Sequence, residues 1–94
     1  MPSAEFDKAA EATKHLKQKP SDAELLELYS LFKIANGEDI SKVPAPGIFD
    51  LKGKAKYNAW KKEVDSGLTA EQAEKRYIEL VETLKSKYGF EEGN

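Results

Sequence analysis

Between two stretches of helical apolar spacing lies the connection Asn36 to Phe49, fourteen residues carrying Gly37, Pro44, Pro46 and Gly47. That composition suits neither a helix nor a hairpin. Extended, fourteen residues reach ~46 Å, whereas the preceding helical pattern of about fifteen residues is only ~22 Å long. The connection can therefore run back along the molecule and start the third helix at the same end as the second. A short loop would force those helices antiparallel. Loops of this length are uncommon unless they serve a purpose.

The apolar spacing is helical elsewhere too, and no alternating strand pattern stands against it. Helices are expected at about 4–16, 22–36, 51–64 and 70–88. The first follows Ser3, with Phe6, Ala9, Ala10, Thr13 and Leu16 on one stripe. The second opens at Ser21-Asp-Ala-Glu24, a capping box, carries Leu25, Leu28, Tyr29, Phe32 and Ala35, and stops at Asn36-Gly37. The third starts near Asp50, with Ala55, Ala59, Trp60 and Val64 expected inside. A second capping box, Thr69-Ala-Glu-Gln72, begins the fourth, whose stripe is Ala73, Tyr77, Leu80, Val81, Leu84 and Tyr88. Glu91 to Asn94 are expected to fray. The 94 residues are expected to form one domain, and both termini read as natural ends.

Charge is distributed unevenly. The chain carries a net charge of −2, yet five lysines and no acid lie between Leu51 and Lys62. Lys52 and Lys56 fall on one helix face. An acidic chain is a poor nucleic-acid binder, so a local cationic face points to a compact anion such as phosphate on a small molecule. Tyr29 and Lys33, four apart, can offer a phenol and an ammonium to the same phosphate. Helix two also bears Leu26, Leu31 and Ile34, making it apolar nearly all round; such a helix is buried or lines a groove. A cationic face beside that helix suggests a ligand with a phosphorylated head and an apolar tail.

Other chemistries are poorly served. The absence of cysteine excludes disulfides and thiol catalysis. The single histidine, His15, has no nucleophile indicated beside it, and the carboxylates form no paired constellation. No apolar run approaches the ~18 residues of a membrane span, and no secretory leader is evident. A non-enzymatic, soluble, cytoplasmic protein without stable membrane insertion is expected.

Phe6-Asp-Lys-Ala-Ala10, Lys14-His-Leu-Lys17, Lys19-Pro20, Leu28-Tyr-Ser30, Gly53-Lys-Ala-Lys56, Ala59-Trp60 and Lys87-Tyr-Gly89 together resemble the acyl-CoA-binding protein family, in order and from Ala4 to Phe90. The resemblance implies an all-α, up-down-down-up four-helix bundle with an overhand connection between helices two and three. It implies non-catalytic binding of medium- to long-chain acyl-CoA as a pool former, protector and transporter, by a monomer needing neither metal nor cofactor. Transient contact with acyl-CoA-using enzymes or membrane surfaces goes with such a role.

By the same resemblance, Tyr29, Lys33 and Lys56 hold the ribose 3′-phosphate. The adenine lies around Phe32, beside Ser30 and Leu31, with Lys14, Lys52 and Tyr77 at further ligand-contacting positions. Phe6, Ala10 and Leu26 are expected along the acyl chain. Phe32 replaces a tyrosine common in the family, and Tyr57 stands where a tryptophan often follows the second lysine. The loop is slightly longer around Ser41 to Pro46. The alternative is a helical protein-interaction module whose groove takes a partner helix.

Overall fold

A computed structural model describes residues 3–91. Four helices account for most of them: α1 Ala4–Ala12, α2 Asp22–Ala35, α3 Leu51–Asp65 and α4 Ala70–Tyr88. Each begins at a side chain that satisfies an otherwise unpaired N–H group. Ser3 accepts from Phe6 N. Ser21 with Glu24, and Thr69 with Gln72, form the two reciprocal boxes expected from the sequence. Asp50 accepts from Gly53 N at 3.0 Å. A Cβ at Gly53 would come within 2.7 Å of the Asp50 carboxyl carbon. A side chain at this third position would therefore have to displace the Asp50 carboxylate from its present cap geometry.

Side-chain neighbours fix the helix directions. Asp22, Leu25 and Leu26 of α2 share a groove with Leu51, Lys52 and Ala55 of α3, and further along Tyr29 meets Trp60. The starts of α2 and α3 are thus adjacent, so the two run parallel, as the long connection permits. The end of α4 meets the start of α2, where Lys87 Nζ and the Tyr88 hydroxyl both donate to the Glu24 carboxylate. Those bonds, with the Ser21 N–H, hold Glu24 well below the usual carboxylate range, at about 2, so this clamp is charged at neutral and mildly acidic pH. Ser3 at the head of α1 donates to Glu74 near the head of α4, so α1 and α4 also run together. The order is up, down, down, up.

The core is built from Phe6, Ala9 and Ala12 of α1, Leu28, Leu31, Ile34 and Ala35 of α2, Trp60 of α3, and Ala73, Tyr77, Val81 and Leu84 of α4. Arg76 ties three helices at the surface, reaching Glu27 of α2 and Glu63 of α3.

Three expectations change. The first α-helix stops at Ala12 rather than Leu16, continuing as a 3₁₀ turn, Thr13–His15. Leu16 is extended and forms an antiparallel bridge with Phe90. Glu91 is not frayed: its N–H donates to His15 O at 3.0 Å, as Lys17 N does to Gly89 O. The rest of the segment expected to fray, residues 92–94, lies outside the described residues. On α3, Ala55 and Val64 are exposed and Ala59 only half-buried, leaving Trp60 as its buried residue. The helix packs chiefly on α2, and one neighbour covers only one narrow stripe.

Candidate functional site

The middle of α2 and the first half of α3 meet around one aromatic ring. Tyr29 lies edge-on to the buried Trp60, centroids 6.4 Å apart at 84°. Lys33 Nζ, from α2, is 5.5 Å from the Tyr29 centroid. Lys56 Nζ, from α3, is 5.4 Å from the same centroid. Two ammonium groups on separate helices thus converge on a single phenol. The ring attracts both ammoniums, and an anion within reach of both offsets their mutual repulsion. Glu38 supplies part of that relief to Lys33 at 3.0 Å. Lys56 and Lys52 have no carboxylate partner among the described residues.

On one side of this junction a groove of about 400 Å³ runs between α2 and α3. Leu25, Leu26, Leu51 and Ala55 give it apolar walls, and Lys19, Lys52, Lys56 and Asp22 its polar rim. Ala55 keeps its wall low, since a larger side chain there would narrow the groove.

On the other side a cleft of about 360 Å³ is bordered by Phe6, Ala10, Thr13, Lys14, Phe32, Asn36 and Tyr77. The Phe6 and Phe32 rings stack at 5.6 Å and 26°, and Phe6 packs on Tyr77 at 4.9 Å. Phe6 and Tyr77 are buried, whereas Phe32 is 37% exposed and presents a ring to the surface. Burial pushes the Tyr77 phenol pKa up, opposed by the neighbouring Thr13 hydroxyl. Lys14 stands at the rim, paired with Glu11 at 3.4 Å.

The structure therefore divides the residues expected along one apolar trough. Leu26 lies in the α2–α3 groove, while Phe6 and Ala10 border the opposite cleft. Leu26 and Phe32 are about 120° apart around α2 and ~9 Å apart along it, too far to line one wall. Tyr29 and Lys33 occupy the arc between them. Ser30 and Leu31 point inward: Ser30 is 1% exposed with its hydroxyl donating to Leu26 O at 2.8 Å, and Leu31 is fully buried. Neither side chain reaches the surface. Sequence reasoning missed Lys19, Asp22, Leu25, Leu51 and Ala55 as groove residues. The only signal was the adjacent pair Leu25-Leu26, which cannot both face the core of one helix.

Comparisons bear on this arrangement. The family model described as acyl-CoA-binding protein matches residues 3–81. An acyl-CoA-binding protein homolog of Manduca sexta is 48% identical over 87 residues, covering 93% of this chain and 94% of that one. Homolog 1 of Caenorhabditis elegans is 50% identical over 84 residues, covering 89% and 94%. The crystal structure of acyl-CoA-binding protein 2 from Oryza sativa superposes with a TM-score of 0.76 at 36% identity, over 88% of this chain and 89% of that chain. The sequence motifs, the parallel α2–α3 pair and these matches agree: the chain belongs to the acyl-CoA-binding protein family.

Proposed function

We propose that this protein binds fatty-acyl-CoA esters without chemistry, holding them as a protected, deliverable pool. The observation that carries the reading is the convergence of Lys33 and Lys56 on Tyr29 at the head of an apolar groove. A 3′-phosphorylated ribose fits the junction, where two ammoniums and a phenol can each donate to phosphate oxygens. The adenine ring stacks against the exposed face of Phe32, with Lys14 and Tyr77 bordering that cleft. The tail runs the other way, along Leu25, Leu26 and Ala55, past Lys52. A ligand laid across α2 in this way is gripped at both ends and crosses the cationic ridge at its most charged point.

The division of labour follows from the chemistry. Charge-assisted bonds at the ridge give selectivity for coenzyme A. The groove rewards the tail at ~0.8 kcal/mol per buried methylene, so each added carbon strengthens binding up to about 4-fold until the groove ends. Among the described residues no helix is long and apolar enough to cross a membrane. The alternative of a protein-interaction module finds no support in the comparisons.

Thermal unfolding tests the reading. Saturation at a hundredfold excess over Kd adds ~2.7 kcal/mol, so palmitoyl-CoA should raise Tm by roughly 10–20 °C in a domain of this size. Free coenzyme A, lacking the tail, should raise it less. A melting curve indifferent to both ligands would overturn the proposal.

A further inference from the structure

The turn that stops α2 brings an acid back onto the cationic ridge. Gly37 has φ 74°, a left-handed conformation that glycine takes without strain. Its N–H donates to Ile34 O at 2.9 Å, and Glu38 N donates to Lys33 O at 3.1 Å. This crossed pair of bonds is a Schellman stop. The Asn36 side-chain amide adds a third tie, donating to Phe32 O at 2.8 Å. Glu38 is thereby fixed beside Lys33. Its carboxylate accepts from Lys33 Nζ at 3.0 Å, so the two residues are joined through both backbone and side chain.

Helix stability does not call for an acid here, since the C-terminal end of a helix favours cations. Its place relative to the ridge is more telling. Lys33 and Lys56 converge on Tyr29 and alone would give the ridge a formal charge of +2; Glu38 lowers it to +1. A carboxylate and a phosphate ask the same of an ammonium, a short charge-assisted hydrogen bond. One Nζ has donors enough to serve both, but the two anions then repel each other. Before any ligand arrives, the chain has supplied an anion of its own.

We propose that Glu38 is a built-in competitor for the ligand phosphate, holding Lys33 in the empty site and reclaiming it as the ligand leaves. This role rests on the reading that Lys33 and Lys56 grip a 3′-phosphate. Glu38 is a positioning residue that acts through Lys33, so its effect is confined to ligands carrying that phosphate. It keeps the grip on the head below its maximum, which suits a carrier that must release what it binds.

Isothermal titration with palmitoyl-CoA and its 3′-dephospho analogue tests this, the tail keeping weak complexes measurable. Glu38→Gln preserves side-chain size and the backbone bonds of the turn but removes the charge. It should bind palmitoyl-CoA about 3–5-fold more tightly than wild type, the upper part of what a surface ion pair contributes, since the Lys33 side chain is only 26% exposed. The dephospho analogue should stay within about 1.5-fold. In a Lys33→Ala background the gain from Glu38→Gln should also shrink to within about 1.5-fold, because the competitor has nothing left to hold. Unchanged palmitoyl-CoA affinity of Glu38→Gln overturns the proposal. Weakened affinity does so too, making Glu38 a guide that presents Lys33 to the ligand. An equal gain for both ligands, or with and without Lys33, would reduce Glu38 to a general surface charge and equally overturn it. Failure of the underlying reading looks different: wild type would then bind both thioesters alike, leaving no phosphate grip to compete for.

Discussion

Lys33→Ala and Lys56→Ala should each weaken coenzyme A binding by roughly 10–150-fold and leave 3′-dephospho-coenzyme A within about twofold of wild type. A hydrogen bond to a charged group contributes about 1.5–3 kcal/mol, which sets that range. Each ammonium stands about the same distance from the Tyr29 ring, so neither should dominate. Lys33 begins paired to Glu38, and the phosphate must share or displace that carboxylate, which places Lys33 toward the lower end. Isothermal titration of both variants with both ligands checks the assignment. Equal losses for the two ligands would mean that the lysines serve the rest of the nucleotide and not its 3′-phosphate.

The second large effect is on stability. Leu31→Ala should lower stability by about 2–5 kcal/mol, because Leu31 is fully buried and a cavity adds to the lost transfer energy. For a domain of this size the melting temperature should fall roughly 10–30 °C. Measured well below the transition, however, its affinity for coenzyme A should stay within about twofold, since the side chain faces the core and not the ligand ridge. Scanning calorimetry and titration at low temperature separate the two quantities. An unchanged Tm with lost binding would put Leu31 back on the ligand surface, where the family pattern had placed it.

These three substitutions also show where sequence reasoning succeeds and where it stops. Local signals were readable: Ser21 with Glu24 and Thr69 with Gln72 mark helix starts because a cap and its partner lie within four residues. The parallel α2–α3 pair was readable as well, because loop reach against helix length is a one-dimensional argument. The end of α1 was not. Thr13 and Leu16 continue its apolar spacing, and only the backbone of Gly89 to Glu91, at the far end of the chain, pulls residues 15–17 into an extended path.

The site has the same character. Tyr29 and Lys33 share a helix face by spacing, but the approach of Lys56 depends on how α3 lies on α2, which spacing cannot give. The resemblance to a family paired them. It grouped Phe6 and Ala10 with Leu26 on a single trough, and it set Ser30 and Leu31 beside Phe32. Rotation about α2 turns Leu26 away from the Phe32 cleft that Phe6 and Ala10 border, and it turns Ser30 and Leu31 inward, since residues adjacent in sequence point about 100° apart. The groove residues Leu51 and Ala55 became visible only once the overhand connection had set the start of α3 beside Leu25 and Leu26.

The central claim is that one ligand straddles α2, with phosphate on the ridge between two helices and its tail in the α2–α3 groove. A crystal structure with palmitoyl-CoA tests it most directly. The ribose 3′-phosphate is expected within hydrogen-bond reach of Tyr29, Lys33 and Lys56, and the tail against Leu25, Leu26 and Ala55. A phosphate remote from both lysines, or a tail lodged in the cleft between Phe32 and Tyr77, would contradict it.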